Sequence, residues 1–545
     1  MSSKLLKPVM KSYWFIFMIS LYFSFVLNIS FWRFMADNIE ITNFGTIWFA
    51  LSLPFFIFVP LYIVFNIFLT PYLAKPISIS LLLISSAANY FMYAYGVYID
   101  SDMITNVFET TARETFDLTT LSFFVSVFIT GVIPSIIIFF MKIEYKTLKT
   151  ELKIRILASV VSIFILGFFI AVSYKEYASF GRNNREVRKL LNTVNYIYSV
   201  AKYFRLKADA KREFVRLDEN AKHVSDTDLH KSVFVIVIGE TARTKSFSLG
   251  GYTKETNPLL SKQDIIYSKI SSCGTSTAVS LPCIFSSLPQ KDFDKNNAKY
   301  TENLIDIVAK SGYDVWWEDN DDGCKDVCAR VKTEYTVKTN NPKYCFGSYC
   351  HDEALIDGLE DKIKDIKNDT VIVLHTMGSH GPTYYNRYPD KFKRFTPTCD
   401  TANIQNCSKE AIVNTYDNTI LYTDYIISST IDILKKFTNL ETGLMYVSDH
   451  GESLGEDNVY LHGLPYMIAP KEQTEVPMII WMSENMKKYN RIDYECMKKE
   501  ASYKSYSHDN IFHSIISLLE IDTTLYDEKY DIFKECQIKN NNIKK

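Results

Sequence analysis

A short loop that carries four hydroxyl groups between two cysteines is the first stretch that could do chemistry. It runs from Ser272 to Cys283 and reads SCGTSTAVSLPC. Its hydroxyl-bearing residues after Cys273 are Thr275, Ser276, Thr277 and Ser280. Such a hydroxyl is a poor nucleophile at neutral pH unless a metal ion or a base activates it. The loop is therefore a nucleophile candidate only if the chain supplies that partner, and spacing alone does not choose between Thr275, Ser276 and Thr277.

Carboxylates and histidines that end apolar runs offer such a partner. The run KSVFVIVIG stops at Glu240, NDTVIVLHTMGSHGP ends near His380, and ETGLMYVSDHGES ends at Asp449 and His450. Carboxylate and imidazole ligands without thiolate suit Zn²⁺, with Mn²⁺ as an alternative. Each residue also has a structural interpretation, since Glu240 could cap a helix and His450 could be a hydrogen-bonded core histidine. Three polar endings on three apolar runs favour a metal site.

The elements that must bring these residues together are buried strands. The three runs and a fourth, EVPMIIW, alternate with helical patterns such as ALIDGLEDKIKDI and TYDNTILYTDYIISSTIDILKKF. This alternation predicts an α/β domain with a largely parallel central sheet. Because ligands bind outside the carboxyl ends of such strands, we expect the polar endings to converge on one edge. His462, in YLHGLPY, would join them from a loop, whereas His375 lies inside its run and is interpreted as a packing residue.

The first third of the chain is apolar and predicts an α-helical membrane domain. Five stretches are long enough to span a bilayer, which takes about 20 mostly apolar residues. They begin at Tyr13, Ile47, Ile77, Leu121 and Ile154. The first is too long for a cleaved signal peptide and is interpreted as an anchor. We therefore expect five transmembrane helices within residues 1–174, a charged helical segment over 175–229, and an outer domain over 230–545.

Basic residues predict the orientation of this membrane domain. Lys4, Lys7 and Lys11 precede the first span. Between spans four and five lie Lys142, Lys146, Lys149, Lys153 and Arg155. With five spans both segments fall on one side, the cytoplasm, so everything after Tyr174 lies outside. The net charge of the chain is −2, which gives no indication of a nucleic acid partner.

The cysteines support an oxidising compartment for the outer domain. There are ten, all in the polar remainder of the chain, and no pair has the C-x-x-C spacing. An even count confined to one region favours disulfides over free thiols or zinc knuckles. The simplest connectivity pairs neighbours in sequence: Cys273–Cys283, Cys324–Cys328, Cys345–Cys350, Cys399–Cys407 and Cys496–Cys536.

The loop between spans three and four contains a possible helix face. In DMITNVFETTARETFDL, the residues Asn106, Thr110 and Glu114 are spaced i, i+4, i+8. Residues at this spacing lie on the same side of a helix. On spacing alone a solvated amphipathic turn is the simpler interpretation.

Several motifs together resemble those of a known family. The strings are VIGETAR (237–243), SCGTSTAVSLPC (272–283), HTMGSHGP (375–382), SDHGESLGE (448–456) and LHG (461–463). In these strings and in its predicted organisation the chain resembles the lipid A phosphoethanolamine transferases, inner-membrane enzymes of Gram-negative bacteria that include the mobile colistin-resistance enzymes. The resemblance covers nearly the whole chain and implies an alkaline phosphatase/sulfatase-like central sheet in the outer domain.

The resemblance implies a role for individual residues. Thr277 would be the nucleophile and a metal ligand, and the other ligands of the main zinc would be Glu240, Asp449 and His450. His380 and His462 would lie near the transferred phosphate as acid or base, and could bind a second metal. The implied substrate-binding residues are Asn106, Thr110, Glu114, Asp321, Lys325, His380 and His462. Asp326, where glycine is expected in the family, departs from the pattern and could alter the local charge.

The resemblance also implies a reaction and a location. Phosphoethanolamine would pass from phosphatidylethanolamine to Thr277 and then to lipid A, with one or two Zn²⁺ ions. The product would lower the negative surface charge and the polymyxin sensitivity. The enzyme would be a monomer in the bacterial inner membrane with a periplasmic catalytic domain. The alternatives are another acceptor (a core sugar, a periplasmic glucan or a protein), a membrane-anchored phosphatase or sulfatase, and a non-enzymatic sensor. No CxPxR-type sulfatase motif is present.

Overall fold

A computed structural model of the chain describes most of its length. The described residues are 8–39, 41, 44–109, 115, 117–183, 185–208, 213–224, 230–339, 341–346 and 349–538. The chain forms two units, and the second includes a short segment that lies within the first in sequence. The first unit is Met1–Val107 with Thr119–Arg205, and the second is Phe108–Leu118 with Leu206–Lys545. The domain boundaries predicted at 174 and 229 stay predictions.

The first unit is built from apolar helices. Four of them are long and apolar enough to cross a membrane: Phe44–Phe68, Ala74–Tyr95, Leu121–Phe140 and Leu148–Val172. A fifth span exists if the helices Ser12–Phe25 and Ile29–Asn38, bent by 54°, count as one. At this break the side-chain amide of Asn28 donates to the carbonyl of Phe23 at 2.7 Å. A side chain that takes a backbone carbonyl competes with helical hydrogen bonds, so the first predicted span is a bent pair.

The other elements of the first unit are shorter. Leu121–Phe140 contains a π-helical turn at Phe128–Val132. The remaining helices are Ser101–Glu109, Tyr174–Asn183, Arg185–Leu190 (3₁₀) and Asn192–Ala208. Two short strands, Val9–Lys11 and Lys142–Glu144, pair in parallel. In Leu148–Val172 the most apolar 18-residue stretch has no buried residue. An apolar helix surface of this kind suits contact with lipid.

The second unit contains a central eight-stranded sheet. In chain order its strands are β1 (Ser232–Gly239), β2 (Ile266–Ser271), β3 (Asp314–Asp319), β4 (Lys332–Tyr335), β5 (Thr370–His375), β6 (Glu441–Ser448), β7 (Glu475–Met482) and β8 (Tyr506–Ser507). Their order across the sheet is β8-β2-β7-β6-β1-β5-β3-β4. β6, β1, β5, β3 and β4 are parallel neighbours, and β7 runs antiparallel to both β6 and β2. The largely parallel sheet predicted from the sequence is confirmed.

Helices and short strand pairs complete this unit. The helices are Thr277–Ile284, Lys295–Ala298, Leu304–Lys310, Thr336–Thr339, Glu353–Ile356, Leu359–Lys364, Lys409–Leu434, Lys471–Thr474, Glu484–Tyr489, Tyr494–Tyr503 and Asp509–Leu518. The additional strand pairs are Ser453–Glu456 with Val459–Leu461, Lys222–His223 with Ile521–Asp522, and Cys345–Phe346 with Tyr349–Cys350. The predicted helix ALIDGLEDKIKDI is two short helices, because Gly358 adopts a left-handed φ of 75° between them.

All five disulfides join cysteines that are neighbours in the sequence. They are Cys273–Cys283, Cys324–Cys328, Cys345–Cys350, Cys399–Cys407 and Cys496–Cys536. The simplest connectivity is thereby confirmed. Four of the bonds close loops with sequence separations of 4 to 10, and Cys496–Cys536 closes one of 40. Cys324, Cys328 and Cys536 are themselves buried in the hydrophobic core of this unit, so these bonds join chain segments to the core.

Candidate metal and nucleophile site

The loop with the hydroxyl groups lies at the carboxyl edge of the sheet because β2 ends there. β2 stops at Ser271, and a helix begins at Thr277. Thr275 Oγ1 donates to the carbonyl of Leu464 at 2.6 Å, so that hydroxyl is occupied. Thr277 Oγ1 instead donates to Glu240 Oε2 at 3.0 Å and lies 3.4 Å from His450 Nε2. Of the three hydroxyls that the sequence left open, that of Thr277 faces the predicted ligands.

A glycine makes this tight turn possible. A Cβ on Gly274 would lie 2.8 Å from Val279 Cγ1, closer than side chains approach one another. Ser272 Oγ donates to the Gly274 carbonyl at 2.6 Å, and the Cys273–Cys283 disulfide joins the loop to the helix that follows. The loop is therefore fixed at both ends of the stretch that presents Thr277.

Glu240, Asp449 and His450 meet where β1 and β6 end side by side. Gly239 pairs with Ser448, so the next residues of both strands are neighbours. His450 Nε2 lies 3.4 Å from Glu240 Oε1 and 3.4 Å from Asp449 Oδ2, and all three side chains are buried. The predicted convergence of these residues on one edge is present in the structure.

The hydrogen bonds around Glu240, Asp449 and His450 leave ligand atoms of all three residues directed at a position suited to a cation. His450 Nδ1 lies 3.0 Å from the carbonyl of Gly451, which makes Nδ1 the donor and leaves the Nε2 lone pair directed at the carboxylates. Asp449 Oδ1 accepts backbone N–H groups of Thr241 and His450 at 3.2 and 2.7 Å. Glu240 Oε1 and Asp449 Oδ2 have no hydrogen-bond partner among the described residues. Buried carboxylate oxygens without donors are the arrangement a metal ion satisfies.

Burial and charge set the pKa values of these groups. Burial, with Asp449 beside it, raises the pKa of Glu240 well above its usual value. Burial also lowers the pKa of His450 to about 4, so its imidazole is neutral at pH 7. Burial would raise the pKa of Asp449, but His450 and backbone donors keep it below its usual value. A neutral imidazole beside close carboxylates is the ligand form that Zn²⁺ requires.

His462 joins the same ligand group, while His380 lies beside it. Ligand atoms of Glu240, His450 and His462 all lie within 4.8 Å of one another. The ring centroids of His450 and His462 are 4.3 Å apart, and those of His380 and His462 are 5.9 Å apart. His462 Nδ1 lies 2.8 Å from Glu452 Oε2, which orients the ring. Sequence reasoning missed Glu452, although it lies in the motif SDHGESLGE.

A second group of possible ligands includes a histidine whose role the sequence did not indicate. Ligand atoms of Glu240, Asp321 and His375 also lie within 4.8 Å of one another. Burial would lower the pKa of His375, but Asp319 and the other carboxylates around it raise it to about 9. His375 is fully buried and its ring lies 5.8 Å from that of Trp317, as a packing residue would, but the ring is also hydrogen-bonded to Asp319 at 3.0 Å within a cluster of charges.

Lys325 lines a polar cavity close to the nucleophile loop. The cavity has a volume of about 680 Å³, and Ala278, the residue after Thr277, is part of its wall. Lys295 and Lys299 line it as well. Lys325 and Asp326 have left-handed φ angles of 47° and 68°. Glycine adopts such angles without strain, which is a physical reason for the glycine that the resemblance leads us to expect at position 326.

The remaining predicted substrate-binding residues lie elsewhere in the chain. Asn106 is half-buried in the helix Ser101–Glu109 of the first unit. Thr110 and Glu114 lie outside the described residues. The predicted face Asn106–Thr110–Glu114 therefore stays a prediction.

The domain that holds this site belongs to a known class. Residues 232–521, which contain the sheet and the group around Thr277, match the model of the family described as Sulfatase. Residues 57–208 match the model of the family described as Phosphoethanolamine transferase EptA/EptB. The chain is thus a membrane-helix region joined to a sulfatase-like domain.

Comparison with known proteins identifies the particular family. The chain is 42% identical to phosphoethanolamine transferase EptA of Salmonella typhimurium, covering 97% of this chain and 98% of that protein. It is 36% identical to phosphatidylethanolamine transferase Mcr-2 of Escherichia coli, with 83% and 84% coverage. The structure of the integral membrane lipooligosaccharide phosphoethanolamine transferase A of Neisseria meningitidis matches with a TM-score of 0.95, 35% identity, and 97% and 99% coverage. The chain belongs to the phosphoethanolamine transferase family and is a transferase.

Proposed function

We propose that this enzyme transfers phosphoethanolamine from phosphatidylethanolamine to lipid A through a covalent intermediate on Thr277. The observation that carries this proposal is the contact of Thr277 Oγ1 with Glu240 Oε2 at 3.0 Å inside a group of metal-type ligands. Glu240, Thr277, Asp449 and His450 would hold the main Zn²⁺. When bound, Zn²⁺ would lower the pKa of the threonine hydroxyl and offset charge on the phosphate.

The reaction has two displacement steps at phosphorus. Thr277 Oγ loses its proton, forms a bond to the phosphorus of phosphatidylethanolamine, and the bond to the diacylglycerol oxygen breaks. Diacylglycerol leaves with a proton, and phosphoethanolamine stays on Thr277. A phosphate oxygen of the acceptor then forms a bond to the same phosphorus, the bond from phosphorus to Thr277 Oγ breaks, and that oxygen takes back a proton. His380 or His462 would give and accept these protons. The contact of His462 Nδ1 with Glu452 Oε2 at 2.8 Å, which orients that ring, supports this role.

Charge around the cavity supports an anionic acceptor. Lys295, Lys299 and Lys325 line the cavity beside the nucleophile loop together with Asp322 and Asp326, so that lysines outnumber aspartates by three to two. Positive charge in a concave site attracts phosphate groups and stabilises charge in the transition state. The name of the Neisseria meningitidis relative gives lipooligosaccharide as its acceptor, and the name of Mcr-2 gives phosphatidylethanolamine. Lipid A is accordingly preferred here over a core sugar, a glucan, a protein or water.

The apolar helices and the disulfides support a location. Four or five spans, five disulfides and the basic residues before the first span favour an inner-membrane protein with a cytoplasmic N-terminus and a periplasmic catalytic domain. Adding phosphoethanolamine to a lipid A phosphate adds an ammonium group. The modified surface would then bind cationic peptides such as polymyxin less well.

The decisive experiment compares lipid A from hosts that express three forms of the full chain. We expect a phosphoethanolamine adduct in the mass spectrum with the unchanged protein and none with Thr277→Ala. Ser276→Ala, which removes the neighbouring hydroxyl that precedes the helix, is the matched control and should keep the adduct. Polymyxin sensitivity should be lower in the hosts whose lipid A carries the adduct than in the host without it.

Three outcomes would contradict the proposal. An adduct of equal abundance with Thr277→Ala would exclude Thr277 as the nucleophile. Absence of the adduct from all three hosts, with the proteins folded and in the membrane, would exclude lipid A. Release of free phosphoethanolamine without any modified acceptor would indicate a hydrolase.

A further inference from the structure

A second cluster of buried charged groups lies next to Glu240, on the side of β5 and β3. His375 is the last residue of β5, and it pairs in register with Asp319, the last residue of β3. Asp321 follows two residues later. The side chains of Asp319 and His375 are essentially inaccessible to solvent, and that of Asp321 is nearly so. Because the ends of β1, β5 and β3 are adjacent in the sheet, Glu240, His375 and Asp321 are held by rigid elements.

Hydrogen bonds fix the ring of His375 in one orientation. Its Nδ1 lies 3.0 Å from Asp319 Oδ2 and donates to it. Asp319 is itself held, because Trp317 Nε1 donates to Oδ2 at 2.9 Å and the backbone N–H of Gly323 donates to Oδ1 at 3.3 Å. Nε2 of His375 then faces Asp321 Oδ2 at 3.7 Å. A carboxylate that orients a histidine from behind is the arrangement found behind metal-ligating histidines.

Three atoms in this cluster lack a hydrogen-bond partner. Glu240 Oε1, Asp321 Oδ1 and His375 Nε2 are all buried and make no hydrogen bond to any described residue. Native proteins rarely leave buried polar atoms unsatisfied, and a carboxylate without a partner is especially costly. The three residues can each direct one ligand atom to a common point, since those atoms lie within 4.8 Å of one another.

We propose that Glu240, Asp321 and His375 bind a second divalent cation, Zn²⁺ or Mn²⁺, which shares Glu240 with the cation of the Thr277 site. Two carboxylates and one imidazole form a donor set suited to either metal. The cation would satisfy Asp321 Oδ1 and His375 Nε2, would share Glu240 with the Thr277 site, and would offset the charge of Asp321, which acts on that of Glu240. This site goes beyond the proposed function, which uses the main Zn²⁺ alone, and it differs from the second metal position at His380 and His462 that the family resemblance implies.

Metal counting on the full-length protein tests this site. The detergent-purified protein is stripped with a chelator, reloaded with Zn²⁺, washed, and analysed for zinc per chain. We expect His375→Asn and Asp321→Asn to bind about one zinc fewer than the unchanged protein. Asparagine at position 375 can still donate to Asp319 but has no atom at the place of Nε2. Any zinc bound at His380 and His462 is present in the variants and in the unchanged protein alike, so it does not contribute to the difference in zinc per chain.

A buried histidine outside the cluster provides the control. His508 lies between the backbone N–H of Cys273 and the carbonyl of Ser448 and belongs to neither ligand group. His508→Asn should bind as much zinc as the unchanged protein, even if it unfolds at a lower temperature. The same amount of zinc per chain in His375→Asn, Asp321→Asn and the unchanged protein would overturn the proposal. It would mean that His375 Nε2 carries a proton and does not bind a metal ion.

Two further measurements do not depend on the count. Anomalous scattering at the zinc edge should give a peak between Glu240, Asp321 and His375, and its absence at saturating Zn²⁺ and Mn²⁺ would refute the site. Added Zn²⁺ should raise the unfolding temperature of the unchanged protein more than that of His375→Asn. Thr277→Ala should lose transfer yet keep this ion, so failure of the proposed function and failure of this site are distinguishable.

Discussion

At the scale of single residues, a chain of buried contacts orients the histidine that lies closest to His450. Tyr384 donates its hydroxyl to Glu452 Oε1, and Glu452 Oε2 accepts from His462 Nδ1 at 2.8 Å. Glu452 is fully buried, and the tyrosine is too. This pairing keeps the proton on Nδ1 and leaves Nε2 of His462 available to the site.

The change Glu452→Gln should therefore lower kcat for phosphoethanolamine transfer by roughly 10- to 100-fold, the range seen when the partner of a functional histidine is removed. An amide can donate to His462 and reverse its tautomer, so the pH profile of kcat should shift as well. KM should change little, because the substrate pocket stays intact. Steady-state kinetics on the purified full chain measures both.

Tyr384→Phe is the matched variant, since it keeps Glu452 charged and should have a smaller effect. Activity of Glu452→Gln within twofold of the unchanged enzyme, with the same pH profile, would show that the orientation of His462 has no influence on transfer.

At the scale of elements, one disulfide supports the loop that carries Thr277 and another supports the C-terminal segment, and we expect their removal to affect activity and stability differently. Cys273–Cys283 closes a loop with a sequence separation of 10 around Thr277, and Cys496–Cys536 closes one with a separation of 40. When a disulfide is removed, the unfolded chain gains more entropy if the loop that the bond closed is longer. We therefore expect the free energy of unfolding to fall by about 3 kcal/mol without Cys273–Cys283 and by about 4 kcal/mol without Cys496–Cys536.

Replacing each pair with serines should separate stability from activity. The variant without Cys496–Cys536 should lose more unfolding free energy and keep its transfer rate under conditions where it is folded. The variant without Cys273–Cys283 should lose transfer as well, because the disulfide no longer fixes the loop after β2 to the helix that begins at Thr277. Denaturant unfolding and transfer assays measure the two effects, and equal activity of both variants would contradict this expectation.

The long helix Lys409–Leu434 holds a loop through a buried carboxylate. Asp424 accepts the backbone N–H groups of Leu259 and Leu260, each at 2.9 Å. Burial nevertheless raises the pKa of Asp424 to about 7. In the unfolded chain an aspartate titrates near 4, so the folded protein binds the proton more tightly. The contribution of Asp424 to the free energy of unfolding should therefore fall as the pH rises from about 4 to about 7.

Asp424→Asn removes this proton-binding site. The stability of the variant to unfolding should therefore change less between pH 4 and pH 7 than that of the unchanged protein. Asp432→Asn, on the exposed part of the same helix, is the control for loss of one carboxylate. Thermal unfolding across this pH range provides the comparison. Parallel curves for Asp424→Asn and the unchanged protein would refute the assignment.

At the scale of the whole molecule, one short segment belongs to the second unit although it lies between two apolar helices in the sequence. It spans Phe108–Leu118. Within that unit Asp117 Oδ2 accepts from Arg387 Nη2 at 3.0 Å and from Thr383 Oγ1 at 2.9 Å. Arg387 Nε also donates to the carbonyl of His380 at 2.8 Å. The segment therefore helps to hold the backbone of a predicted site residue.

Asp117→Asn should destabilise the second unit by about 3 kcal/mol, because removing one partner leaves the buried charge of Arg387 uncompensated. Transfer should fall too, since Arg387 positions His380. Asp400→Asn breaks the exposed pair with Lys393 and should cost less than about 1 kcal/mol. Differential scanning calorimetry and transfer assays on the full chain check both, and similar losses for the two variants would exclude a special role for Asp117.

Elements with a strong apolar pattern, and the chemical groups at their ends, could be predicted from the amino-acid sequence. Continuous apolar runs predicted β1, β5, β6 and β7, because strands buried on both faces carry no polar positions. The sequence could not predict β2, β3, β4 and β8, which alternate, carry charges or are very short. Apolar length also predicted the membrane helices, but the bend at Asn28 depends on one local side-chain contact.

Which of these groups meet depends on the tertiary structure. Glu240 and Thr277 are far apart in sequence, and their contact depends on the direction of β2 in the sheet. The apolar run around His375 predicts a packing residue, and it is the register of β5 against β3 that places its ring beside Asp319 and near Asp321. Periodicity encodes which face of an element is buried, whereas contacts between distant side chains depend on strand order and register, which the packing of the whole domain fixes.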